Sequence, residues 1–309
     1  MLKRIVVPLD GSQISHAALP LARSLAEQTG AGVTLISVID PPRDFYISPQ
    51  DSSSTRLRPK DIDHLAKEEQ RLDFYLKNVA TSFERTRVSI DIRLGQAATE
   101  ILEAAEAVEG SAIVMASHGR SGLGRMLMGS VAARIVQSSQ VPVFVSRAST
   151  DTRAEFGKQK ITNVAVALDG SDLAERALDR AYDIFRNNVR YTLVRIVEPV
   201  APGQSYTSEL IANYEREARE SAEDYLRDAA DTLTTHGATV SADVRVTDPA
   251  SGITRVASEF GADLIAMTTH GRSGMGRFLL GSVAERVLHD TDRPVMIIRA
   301  MESESDSES

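Results

Sequence analysis

Two stretches of this chain read almost alike: Ser117-His-Gly-Arg-Ser-Gly-Leu-Gly-Arg-Met-Leu-Met-Gly-Ser-Val-Ala-Ala-Arg134 and Thr269-His-Gly-Arg-Ser-Gly-Met-Gly-Arg-Phe-Leu-Leu-Gly-Ser-Val-Ala-Glu-Arg286. Thirteen of the eighteen positions are identical. A second pair stands upstream, Ile5-Val-Val-Pro-Leu-Asp10-Gly11-Ser12 and Val164-Ala-Val-Ala-Leu-Asp169-Gly170-Ser171. Self-similarity of this kind means one structural unit present twice. The offset is 159 residues at the Asp-Gly-Ser motif and 152 at the glycine-rich one, so copy one holds seven extra residues between them. The polar, Pro- and Ser-containing stretch Arg43 to Lys60 accounts for them as a surface loop. The division that follows is a first domain over 1–148, a polar linker over 149–160, a second domain over 161–301, and an acidic, serine-rich tail over 302–309 whose composition predicts disorder.

Each copy alternates short β-branched runs with helical spacings, the pattern of βαβ units around a parallel sheet. Strands are expected near Arg4–Leu9, Gly32–Val38, Val88–Leu94, Ala112–Met115 and Val141–Ser146, and again near Asn163–Leu168, Arg190–Ile196, Thr239–Val246, Asp263–Met267 and Pro294–Ile298. Ile14, Ala17, Ala18, Leu21 and Leu25 recur at helical spacing, as do Leu173, Ala177, Ala181 and Ile184. Pro20 is expected to bend the first of these helices. A longer helix carries Ile62, Leu65, Leu72, Leu76, Val79 and Phe83, read as one face laid on its own sheet. The fold class is α/β: two Rossmann-like, doubly wound domains, each a five-stranded parallel sheet of order 3-2-1-4-5 with helices on both faces.

Composition narrows the chemistry. Among 309 residues, 42% are hydrophobic and 25% charged, as in ordinary globular chains. The absence of cysteine excludes disulfides, thiolate metal sites and cysteine nucleophiles. An excess of 43 acidic over 35 basic residues, net −8, argues against nucleic acid and anionic membrane as partners. Asp10 interrupts the N-terminal apolar run too early for a signal peptide, and no run is long enough to span a bilayer. A cytoplasmic protein is the expectation.

In an open parallel sheet, ligands bind beyond the carboxyl ends of the strands where the strand order reverses. Asp10 and Asp169 close the first strand of each copy, and Ala116-Ser-His118-Gly119 and Thr268-Thr-His270-Gly271 follow the fourth. Each glycine-rich loop runs into Gly129-Ser130-Val131 or Gly281-Ser282-Val283 at the start of a helical pattern, with the serine as expected N-cap. Glycines, a hydroxyl and free N–H groups at a helix start suit a phosphate. The spacing is not that of a P-loop, and Leu127 stands where a dinucleotide fingerprint needs its third glycine. Nine residues separate Gly119 from Gly129-Ser130, and nine separate Gly271 from Gly281-Ser282. Arg120 and Arg272 stand where they could meet phosphate, and His118 and His270 read as loop or ligand contacts because no nucleophile lies at a diagnostic spacing. No metal-ligand motif is present.

The G-x-x-G-x(9)-G-[ST] spacing, repeated with its strand-one aspartate and closing Val141-Pro-Val143 and Arg293-Pro-Val295 strands, resembles the universal stress protein family over nearly the whole of both halves. The resemblance implies a tandem pair of adenine-nucleotide modules, with ATP as ligand and Mg²⁺ held, if at all, through the phosphates. By position, adenine and ribose would lie near Asp10 with Val38, and near Asp169 with Ile196; Pro8 joins the first set. Phosphates would lie on Gly119, Gly129, Ser130 and Val131, and on Gly271, Gly281, Ser282 and Val283. The first motif glycine is replaced by Ala116 and Thr268, and the branched threonine is expected to make the second site the weaker. A role in stress response or signalling is implied, with slow ATP hydrolysis or a non-binding interaction module as alternatives. The family also pairs its closing strand across a dimer, which here implies an intramolecular pseudo-dimer, with a homodimer of whole chains as a further step.

Overall fold

The computed structural model describes residues 1–41, 59–117, 128–147, 160–200, 207–269 and 280–299. Ten strands form one sheet. In the first half they are β1 Arg4–Pro8, β2 Gly32–Ile39, β3 Val88–Leu94, β4 Ser111–Ala116 and β5 Val143–Ser146. The second half supplies β6 Asn163–Ala167, β7 Arg190–Val197, β8 Thr239–Val246, β9 Leu264–Thr268 and β10 Val295–Ile298. The helices are α1 Leu19–Thr29, α2 Pro59–Ala80, α3 Ala97–Glu106 and α4 Ser130–Ser138, then α5 Asp172–Phe185, α6 Ser208–Thr235, α7 Pro249–Glu259 and α8 Ser282–Asp290.

The sheet order is β3-β2-β1-β4-β5-β10-β9-β6-β7-β8. Each half therefore has the expected 3-2-1-4-5 order, and all pairs within a half are parallel. The halves join at β5 and β10, which are antiparallel, with Phe144 opposite Met296. These two residues occupy equivalent positions in the two copies, so a pseudo-two-fold axis passes between them. Arginines just beyond the paired strands repeat the relation: Arg147 donates to the carbonyl of His289 at 3.0 Å, and Arg299 donates to that of Ser138 at 3.2 Å. An apolar edge strand is an aggregation hazard, and here each half covers the other's. The outer strands β3 and β8 are instead protected by charge, with Arg93 on Asp91 and Arg245 on Asp243.

Because the second half runs antiparallel to the first, the carboxyl ends of its parallel strands lie at the opposite edge of the sheet. One apolar core, from α1, α2, α5 and α6, covers one face across both halves, and a second, from α3, α4, α7 and α8, covers the other. Burial at both faces explains why the inner strands read as continuous apolar runs.

Three local expectations change. Pro20 does not bend a helix: Ser15–Ala18 form a 3-10 turn and α1 starts at Leu19, with proline in the first turn, where its missing N–H costs nothing. In α2, Leu72 and Leu76 are buried, as are Val79 and the following Phe83, but Ile62 is 53% exposed, so only the C-terminal half lies on the sheet. Strand β5 begins at Val143, beyond Pro142, which has no N–H for a ladder. The loop near 43–60, the linker and the acidic tail fall wholly or largely outside the described residues.

Candidate functional site

At the carboxyl end of β1 the chain turns through Asp10-Gly11-Ser12. The Asp10 carboxylate accepts from the Ser12 N–H at 2.9 Å, and Gly11 takes φ 77°, a left-handed conformation that glycine adopts without strain. The Ser12 hydroxyl in turn accepts from the Ser15 N–H. The reversal of strand order between β1 and β4 opens a cleft of about 290 Å³, in which Pro8, Asp10, Val38 and Ala116 approach Gly129, Ser130 and Val131 at the start of α4. Asp10 is the one charged group among the described residues lining it.

The equivalent cleft in the second half measures about 600 Å³ and brings Asp169, Ile196 and Thr268 to Gly281, Ser282 and Val283 at the start of α8. Here Asp169 accepts from both the N–H and the hydroxyl of Ser171, at 3.0 and 2.6 Å. Ser171 accepts from the Ala174 N–H and so caps α5. Arg195, Glu198 and Tyr214 also line this cleft. Thr268, itself buried, is among the residues that line it.

In both halves the N-cap is the glycine, not the serine. Gly129 and Gly281 are extended, at φ −55° and −59°, and neither α4 nor α8 receives a side-chain cap. Ser130 and Ser282 become the first helical residues, exposed, with hydroxyl and N–H at the cleft rim. His118, Gly119, Arg120, His270, Gly271 and Arg272 lie outside the described residues.

The residue that sequence reasoning missed is Arg195. It occupies the place of Ser37 in the first half, where the serine hydroxyl donates to the carbonyl of Leu9 at 2.6 Å and is 2% exposed. Arg195 is 9% exposed, and its guanidinium carbon lies 4.8 Å from the centre of the Tyr225 ring. It also lies against Gly170, where an added Cβ would sit 2.6 Å from Nη1. Burial raises the pKa of Tyr225 above the usual phenol value, with the neighbouring Glu175 adding to the shift. The matching tyrosine of the first half, Tyr75, instead meets His16 at 2.6 Å. The signal was an arginine in the middle of the mostly apolar run Tyr191-Thr-Leu-Val-Arg195-Ile-Val197.

A family model described as the universal stress protein family matches residues 1–147 and 160–299. The chain belongs to that family. A universal stress protein of Methanocaldococcus jannaschii is 35% identical over 147 residues, covering 47% of this chain and 82% of its own. One from Mycolicibacterium smegmatis is 24% identical over 318 residues and 96% of each chain, so the tandem arrangement is shared along the full length. The crystal structure of a universal stress protein from Archaeoglobus fulgidus, 21% identical, aligns over 96% of this chain and 98% of its own with a TM-score of 0.68, and shows the same fold. A universal stress protein solved in complex with cAMP is 27% identical over 46% of this chain and all of its own, with a TM-score of 0.37. Among the described residues no helix is long and apolar enough to cross a membrane, and no cluster of three or more potential metal ligands occurs.

Proposed function

We propose that both halves bind an adenine nucleotide, ATP in the first instance, and that the protein responds to nucleotide in stress signalling without depending on turnover. The observation that carries this reading is the pairing, in each cleft, of a strand-end carboxylate with a glycine-started helix that has no side-chain cap. Such a helix start presents N–H groups and the positive end of the helix dipole. Phosphates would rest on Gly129, Ser130 and Val131, or on Gly281, Ser282 and Val283. Asp10 and Asp169 would accept hydrogen bonds from the sugar or base, with Val38 and Ile196 beside it. The residues present suit this ligand: both clefts combine apolar walls with a few convergent polar groups, as small-molecule sites do. Any Mg²⁺ would be held through the phosphates.

Mass spectrometry of nucleotide released from the purified protein is the first test, followed by calorimetric titration with ATP. Two equivalents bound per chain are expected. Neither retained nor titratable adenine nucleotide would overturn the reading.

A further inference from the structure

We propose that the second cleft holds the base of its nucleotide against the ring of Tyr214, a stacking contact for which the described residues of the first cleft have no counterpart. This deepens the nucleotide reading of the clefts and rests on it.

Helix α6 returns the chain from the carboxyl end of β7 to the start of β8, so its N-terminal end stands at the edge of the sheet where the second cleft opens. Its 28 residues make a helix about 42 Å long, against about 26 Å for the eight residues of β7. Its buried residues, Ala222, Leu226 and Leu233, all fall in the C-terminal half. The N-terminal half therefore projects past the strand ends. On it Tyr214, Ala218 and Ser221 follow at spacings of four and three, so they share a face, and all three line the second cleft. Tyr214 is 59% exposed, and the neighbouring Ala218 carries only a methyl group, which leaves room beside the ring.

The equivalent positions of α2, counted from the matched Tyr75 and Tyr225, are His64, Glu68 and Arg71. There Arg71 donates to Glu68 from both Nε and Nη2, at 2.8 and 2.6 Å, and none of the three is among the described residues that line the first cleft. The place of Tyr214 suits a base in particular. Helices α6 and α8 cover opposite faces of the sheet, so Tyr214 and the Gly281-Ser282 start of α8 stand on opposite sides of the strand ends. A nucleotide with its phosphates on α8 reaches across those ends toward α6, and its far end is the base. Every base has a flat π face, which an aromatic ring binds by offset stacking.

The chain contains no tryptophan, so Tyr214→Trp places a single indole in the protein. In full-length Gly129→Arg, whose first cleft is blocked, ATP should quench the fluorescence of that indole with the same midpoint as calorimetric binding, and inorganic triphosphate should not. Tyr214→Ala in the same background should weaken ATP about tenfold, the scale of one stacked base, and leave triphosphate unchanged. Tyr214→Phe, which keeps the ring, should retain most of the affinity. His64→Trp, made with Gly281→Arg, should not respond when the first cleft binds ATP; an equal quench there would overturn the contrast between the clefts. Tyr214 lies outside the buried face of α6, so none of its variants removes a core contact. Calorimetric ATP binding without a change in the indole signal, or with full affinity in Tyr214→Ala, would overturn the proposal while leaving the nucleotide reading intact. If Gly129→Arg binds no ATP, the nucleotide reading of this cleft fails and the proposal with it.

Discussion

The two clefts are built on the same frame, and their described residues agree most closely at the helix starts. Toward the helix starts, glycine, serine, valine and alanine recur in order, and the N-cap glycines share the same extended backbone. Toward the ends of β2 and β7, Ser37 of the first half corresponds to Arg195 of the second, and His16 at the tyrosine of α2 corresponds to Glu175 near that of α6. The difference teaches which parts of such a site can vary. On the proposed reading the N-cap glycine is where a phosphate rests, so a side chain there would compete with it, whereas a strand-end side chain can change without disturbing the sheet. The scaffold can therefore hold one recognition element constant and alter the other.

The largest effects should come from filling the constant side. Gly129→Arg and Gly281→Arg should each remove one of two ATP equivalents in calorimetry and leave the other affinity unchanged, since the clefts lie at opposite edges of the sheet. A change at both sites from one substitution would break the picture of independent clefts.

Next in size is the seam that sets the clefts at opposite edges. Phe144 is fully buried opposite Met296, so Phe144→Ala should cost about 3–5 kcal/mol from lost burial and a cavity. Because the same cores run through both halves, thermal melting should remain one transition, shifted downward. Two separated transitions, with only the first half destabilised, would show that the halves melt as independent units.

Much of this arrangement was legible in the sequence because the pattern was doubled. All ten strands could be placed to within two residues, since a strand buried on both faces reads as a compact β-branched run between turn signals. The pairing of β5 with β10 was implied by the family resemblance together with the need to cover an apolar edge. What could not be read was contingent on tertiary contacts. Ile62 continues the helical stripe of α2, yet the sheet ends before it. Ser130 has the chemistry of an N-cap, but the glycine before it takes that place. Arg195 is one charge in a strand, and only packing shows it lying beside Asp169-Gly170 and under Tyr225.

Intermediate effects should come from the strand-end carboxylates. Asp10→Ala should weaken ATP by about 1.5–3 kcal/mol, the range for hydrogen bonds to a charged group, and leave inorganic triphosphate unaffected. Asp169→Ala should show the same split in binding and, in addition, a lower melting temperature, because Asp169 also holds the Ser171 hydroxyl that caps α5. Equal losses for ATP and triphosphate would place Asp10 at the phosphates, contrary to the proposed orientation.

The smallest effect concerns how each helix beside a cleft is anchored. In the second half Asp248 caps α7 by accepting from the Ser251 N–H, and receives both Nη1 and Nη2 of Arg286 from α8, at 2.7 and 2.9 Å. The Arg286 and Ser251 contacts pull its carboxyl down to about 2 from an ordinary 3.8. In the first half the corresponding residue is Gln96, which makes no side-chain cap bond. A lowered pKa in the folded state means that Asp248 contributes its full stabilisation above its unfolded value and loses it as pH falls from about 4 toward 2. The ion pair is exposed, so solvent screening leaves it little weight beside the cap, which adds about 1 kcal/mol. Asp248→Gln should therefore lower denaturant stability at neutral pH by about 1 kcal/mol, the scale of a lost cap. The gap between variant and wild type should shrink on acidification through that window. Gln96→Asp should do the reverse, raising neutral-pH stability by about 0.5–1 kcal/mol through a new cap, since Arg134 stands where Arg286 does in the other half. A gap that stays constant from neutral pH down to about 2 would mean that the carboxylate charge contributes nothing; the anchoring of α7 to α8 would then rest on shape alone, and the two halves would be more alike than their polar contacts suggest.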